Sequence, residues 1–370
     1  MVLRYLESAC LSRGHTGGIT ALAFSPAGKF LASAGLEGKV CIWRADDFRL
    51  LHVVSRSGGI AVLSLAWLSP NEETLICGLK DGNIVFVTVN EQEVTINGFW
   101  AHKYPVECLV VAAPDLFVSG AHTEVRVWKR SIDSHNWLQQ ADLPLPPTTS
   151  FNRLDEVQVT SLHVIGYRQP LLVVTYMNHG MHLFDASTWE HRRSIPITGQ
   201  IGDTSFSPDF RTVAVSNIIR GFDVYSMDTE TALCSFGHAV KLDNLRRTPV
   251  LLIHDGLALL GGNTQGDVHI WDVGSRRKLH SLVHHKEEVV LAIAAHYYED
   301  SDTFVIATGI LEGGTRRGVV VWHAQELSHL HVVTSRSFPA IWSRHGWNFL
   351  IIGIILGIVS YLYAAATWEA

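Results

Sequence analysis

Short runs in which apolar residues alternate with small or polar ones recur along most of the chain, and the breaks between them carry glycine or proline. Alternation with period two sends successive side chains to opposite faces of a strand, and the breaks supply tight turns. The pattern therefore predicts many short antiparallel strands. The clearest group holds Gly14-His15, then Ile19 to Phe24, Ser25-Pro26, Phe30 to Gly35 and Lys39 to Trp43. Weaker copies of its last strand follow at Ile84 to Val87, Val125 to Trp128, Met181 to Asp185, Phe222 to Tyr225, Val268 to Asp272 and Val319 to Trp322. Trp43 to Trp128 spans two repeats of about 40 to 45 residues, the period of a four-stranded unit. The interval from Trp128 to Phe184 is longer by roughly a dozen residues. Pro144, Pro146 and Pro147 assign the surplus, residues 131–153, to a long loop, because proline cannot donate to a sheet ladder.

From Gly14 to Trp43 the chain resembles a WD repeat from end to end, and from Arg4 to Trp322 it resembles the WD-repeat family. The resemblance implies an all-β fold: a seven-bladed β-propeller over residues 1–323. It also implies that the N-terminal strand completes the last blade. Arg4 to Leu11 is placed to do so, and Leu327 to Val333, which alternates too, competes for the position. The family braces each blade with a hydrogen-bonded His, Ser or Thr, Asp and Trp. Blade one offers His15, Ser33, Glu37 and Trp43; blade three offers His102, Ser119 and Trp128, with His122 in the acidic position. Blade six offers His238, Trp271 and Asp272, with Gln265 in the acidic position, and blade seven offers Trp322. Blades four and five lack the tryptophan.

A different pattern closes the sequence. Phe349 to Trp368 contains no charged residue and, as a helix, would be about 30 Å long, the thickness of a hydrocarbon core. Trp342, Trp347, Tyr361, Tyr363 and Trp368 mark its ends as interface anchors. The expectation is a single C-terminal transmembrane α-helix, residues 347–368, joined to the propeller by a juxtamembrane linker, residues 324–346. Arg336, Arg344 and His345 precede the helix, so the propeller should lie on the cytosolic side, and the order of elements resembles a tail-anchored protein. The scarcity of basic residues after the helix favours endoplasmic reticulum or secretory membranes over the mitochondrial outer membrane. Gly353 and Gly357 form a small-residue face that would let two helices approach and make a homodimer.

Composition narrows the chemistry. A net charge of -6 on a chain only 17% charged leaves no basic stripe for nucleic acid. Residues 1–5 do not show the pattern of a secretory leader, so the bulk of the chain is expected to stay in the cytosol, and the five scattered cysteines read as reduced thiols of a cytosolic domain. Twenty histidines, His280, His284, His285, His329 and His331 among them, come without a Cys-x-x-Cys or His-Glu-x-x-His spacing, so no metal or other cofactor is expected. No nucleophile, phosphate-cradling or kinase motif marks an enzyme. Arg276, Arg277, Lys278 and Lys286, with the neighbouring histidines, form a basic cluster suited to anionic lipid headgroups. The expected function is that of a membrane-anchored scaffold that binds partner proteins on the cytosolic face. The alternative is a propeller-type guanine-nucleotide exchange factor for a small GTPase at the endoplasmic reticulum, which has a similar order of propeller and membrane helix.

Overall fold

The computed structural model describes residues 3–55, 58–68, 72–89, 93–149, 152–166, 168–237, 246–263, 267–284, 288–312 and 318–326. They form seven four-stranded antiparallel sheets. Blade one consists of Ile19–Phe24, Phe30–Gly35, Lys39–Arg44 and Leu50–Ser55, hydrogen-bonded in that order from the channel outward. Five more blades repeat the scheme. Their inner strands are Val62–Leu68, Cys108–Ala113, Val159–Ile165, Ile201–Phe206 and Val250–Ile253. Blade seven takes its inner three strands, Val289–Tyr298, Thr303–Glu312 and Val319–Glu326, from the C-terminal side and its outer strand, Leu3–Leu11, from the N-terminus.

That outer strand settles how the ring closes. Leu3 pairs with Glu326, Tyr5 with Ala324 and Leu11 with Val319, with a bulge between Glu7 and Ala9 where the Ser8 hydroxyl donates to the Val321 carbonyl at 3.1 Å. The competing segment, Leu327 to Val333, lies outside the described residues. The inner strands touch in sequence around the channel, and that of blade seven returns to that of blade one.

The core is divided among the junctions between blades. Seven clusters of buried apolar side chains each straddle two adjacent blades, as when Ile42 and Val40 of blade one meet Leu75 and Val87 of blade two. A strand buried on both faces explains the near-continuous apolar runs in the inner three strands, while outer strands such as His191–Ile195 remain mostly exposed.

Two boundaries differ from expectation. The stretch 131–153 is not all loop: Trp137–Asp142 is the outer strand of blade three, paired with Glu124–Arg130. In its sequence, WLQQAD, only Trp137 and Ala141 pack against the core and the other four residues are exposed, so it lacks the apolar run of an inner strand. The last strand runs past residue 323 to Glu326, where the compact unit Met1–Glu326 ends. The expected membrane helix, residues 347–368, lies outside the described residues, as does all of 327–370. Among the described residues no helix is long and apolar enough to cross a membrane.

Candidate functional site

Each blade has two positions that decide how it is braced, and the strand register identifies them. The position of Trp43 opposite Leu31 is held in turn by Val87, Trp128, Phe184, Tyr225, Trp271 and Trp322. Two residues on from its partner, the position of Ser33 is held by Cys77, Ser119, Val174, Val215, Gly261 and Thr308. In blade one the Trp43 indole N–H donates to Ser33 Oγ at 2.9 Å, Ser33 meets His15 Nε2 at 2.8 Å, and His15 Nδ1 meets Glu37 Oε1 at 2.8 Å. Blade three repeats this with Trp128, Ser119 and His102. Its carboxylate is Glu124, 3.0 Å from His102 Nδ1, and not a group at position 122. His122 instead contacts Glu156 at 2.7 Å and stacks on Tyr104.

Blade seven carries a third brace that the sequence did not disclose: Trp322 Nε1 donates to Thr308 Oγ1 at 3.0 Å, and His284 Nε2 lies 2.8 Å from the same oxygen. Blade four replaces both partners with apolar residues, Phe184 with Val174, and losing donor and acceptor together leaves neither unpaired; blade five sets Tyr225 with Val215, and the tyrosine hydroxyl bonds to the Thr198 backbone instead. In blade six the tryptophan is kept but the hydroxyl is not. Gly261 occupies that position because the Phe222 ring fills it; a Cβ there would stand 2.4 Å from Phe222 Cζ. Trp271 packs against Phe222 and Phe236 at ring distances of 5.4 and 5.6 Å. Asp272 lies outside the brace and accepts from the Ser275 amide at the outer hairpin turn. His238 and Gln265 fall outside the described residues.

These networks are buried and fix proton positions. Burial lowers the pKa of His15 and takes that of His102 down to about 4, so both rings are neutral. A neutral ring has one donor, and each of these has a carboxylate on Nδ1 and a hydroxyl on Nε2. Donation from Nδ1 to the carboxylate therefore leaves Nε2 to accept from the serine.

The polar groups that face the channel cluster where the inner strands begin. Arg247, just ahead of blade six, donates from Nη1 to Glu107 of blade three at 2.9 Å, from Nε to the Gly202 carbonyl at 3.0 Å, and from Nη2 to the Thr160 carbonyl. One guanidinium thus ties blades three, four, five and six. Asp203 stands beside it and accepts from the Val250 and Thr204 amides; burial raises its carboxyl to about 6 despite those bonds and the nearby Arg247.

The basic cluster is divided. Arg276, Arg277 and Lys278 are exposed on the turn and outer strand of blade six, with Arg276 donating to the Leu233 carbonyl. His284 is consumed by the blade-seven brace, His280 reaches the Tyr5 carbonyl at 3.0 Å, and Lys286 lies outside the described residues. Gly353 and Gly357 are outside them as well. None of the five cysteines forms a disulfide; Cys10 is exposed and the other four are buried. Among the described residues no group of three or more His, Cys, Asp or Glu side chains is placed to hold a metal ion.

Residues 8–44, which take in part of the closing strand and most of blade one, match the family model described as WD domain, G-beta repeat. The chain is a seven-bladed β-propeller with a WD repeat in its first blade. It is similar to the diphthine methyltransferase homolog of Dictyostelium discoideum, with 25% identity over 189 residues, 48% of this chain and 50% of that protein. It is also similar to the ribosome biogenesis protein ERB1 of Coccidioides immitis, 35% identical over 81 residues, and to the ribosome biogenesis protein BOP1 homolog of Arabidopsis thaliana, 27% identical over 141 residues. Those two matches take in 22% and 35% of this chain but only 10% and 18% of the relatives. The chain thus spans half the length or less of the curated relatives it matches.

Proposed function

We propose that the protein is a membrane-anchored scaffold whose propeller binds partner proteins on the cytosolic face of an endoplasmic reticulum or secretory membrane. The observation that carries the scaffold reading is the use made of the polar residues. The buried histidines and hydroxyls of blades one, three and seven, with the carboxylates of blades one and three, are spent on bracing, which leaves a rigid ring whose loops at two mouths are free to differ. Relatives whose names point to unrelated roles, a diphthine methyltransferase homolog and a ribosome biogenesis protein, each match part of this chain, as expected of a module reused with different partners.

The membrane part of the reading rests on the uncharged run Phe349 to Trp368, and Gly353 with Gly357 would pair two copies there. Arg276, Arg277 and Lys278 would add attraction to anionic headgroups. The test compares the full chain with a chain ending at residue 346. The full chain is expected in the membrane pellet after carbonate washing and the shortened one in the supernatant with an unchanged melting temperature. Sedimentation of both would remove the anchor from the reading. In the same preparations a scaffold leaves nucleotide release from a small GTPase unchanged, whereas an exchange factor accelerates it.

A further inference from the structure

At the mouth where the inner strands end, opposite the Arg247 cluster, a cavity of about 800 Å³ opens between blades five, six, seven and one. Leu22, Leu252, Ile293 and Phe304 give it an apolar lining, and Asp255 and Asp302 bring two carboxylates. Its histidines, His254 and His296, have their pKa values lowered by burial and are neutral. Among the described residues that line it there is no lysine or arginine. The carboxylates are built into the fold: Asp255 and Asp302 both hold left-handed backbone, at φ 56 and 48, in the turns after the inner strands of blades six and seven. Tyr297, 46% exposed, also lines the cavity, and its hydroxyl donates to Asp302 Oδ1 at 2.8 Å. Its pKa is raised first by that bond to Asp302, then by desolvation and by the charges of Asp302, Glu299 and Asp255.

We propose that this cavity is the docking site for a lysine or arginine side chain projecting from an apolar stretch of a partner protein. The inference rests on the scaffold reading and adds to it the surface and the chemistry of the partner. Among the described lining residues no cation matches the carboxylates, and a basic partner supplies one. The tyrosine ring offers a face to the cation, and the apolar lining accepts the aliphatic stem of the basic side chain and its apolar neighbour. The volume falls within the roughly 300 to 1,000 Å³ of pre-formed ligand sites.

The test uses the full chain in detergent and two fluorescein-labelled peptides, one with a central Leu-Lys-Arg-Leu and one with Leu-Glu-Glu-Leu in the same flanks. Anisotropy is expected to show binding of the first only, weakening as salt is raised. Asp255→Asn combined with Asp302→Asn should reduce that affinity at least tenfold, since asparagine tolerates left-handed backbone and the fold is kept. Asp133→Asn, on an exposed turn of blade three, should leave it unchanged. Equal binding of both peptides, no binding of the basic one, or full binding by the double variant would each overturn the proposal. Crosslinking at the membrane separates the two levels. If parent and double variant capture the same proteins equally, the cavity is not the docking site and the scaffold reading stands; if the parent captures none, the scaffold reading itself fails.

Discussion

Glu107 and Arg247 are separated by 140 residues in the chain and by 2.9 Å across the channel. The pair joins blade three to blade six, and the same guanidinium satisfies carbonyls of blades four and five, so it acts on the ring as a whole. In a double-mutant cycle with Glu107→Gln and Arg247→Met, urea unfolding should give a coupling of about 0.5 to 3 kcal/mol. Arg247→Met alone should be the more damaging single change, because it also leaves the Gly202 and Thr160 carbonyls without their donor.

Ser33→Ala should destabilise the protein by about 2 to 4 kcal/mol, since it strands both the Trp43 indole N–H and His15 Nε2 inside the blade. Ser119→Ala should do the same in blade three. Denaturant midpoints measured at constant slope would check both, and a change below about 0.5 kcal/mol would contradict the network.

Trp271 presents the complementary case. Trp271→Ala should cost about 3 to 5 kcal/mol through loss of a large buried ring. Trp271→Phe, however, should cost about 1 to 2 kcal/mol less than Trp43→Phe, because blade one, unlike blade six, has a serine hydroxyl to leave without its donor. Melting temperatures of the two phenylalanine variants, measured side by side, test the difference.

Acid should weaken the fold through His102. Its pKa is about 4 when folded against 6.5 for the unperturbed side chain, so below pH 6.5 the unfolded chain takes up a proton that the folded ring refuses. The stability it contributes is complete above pH 6.5 and is lost as pH falls towards 4. His163, also near 4 through burial, acts in the same sense. Asp203 acts oppositely: with its carboxyl at about 6 against 3.8, its contribution is present below pH 3.8 and lost as pH rises through 6. Between pH 7.5 and 4.5, His102→Gln should lose less stability than the parent by about 2 kcal/mol, read from urea unfolding at the two pH values.

The number of blades and the third strand of each were legible because each is a local alternation, and His15, Ser33 and Trp43 fall within one repeat. What escaped was set by spacing and by distance. Counting back from Trp43 places the acid six residues earlier, which in blade three is His122, whereas the carboxylate that meets His102 belongs to Glu124, only four residues before Trp128. His284 and Thr308 lie 24 residues apart where the other two pairs are 18 and 17, because blade seven has two ten-residue strands. Arg247 bears no local mark at all; its partners come from three other blades.

The strand Leu3–Leu11 is the first part of the ring to be synthesised and the last for which a partner exists, since Val319–Glu326 must be made before it can pair. Until then the nascent chain carries a strand with unpaired edges and a ring that cannot shut. Contacts so distant in sequence form slowly, and an unpaired strand is prone to pair with other chains. The period of greatest exposure to aggregation is therefore that between emergence of the first blade and release of residue 326. A bulky tag fused directly to residue 1 would act on that period, lowering the yield of folded protein while leaving the finished ring as stable as before.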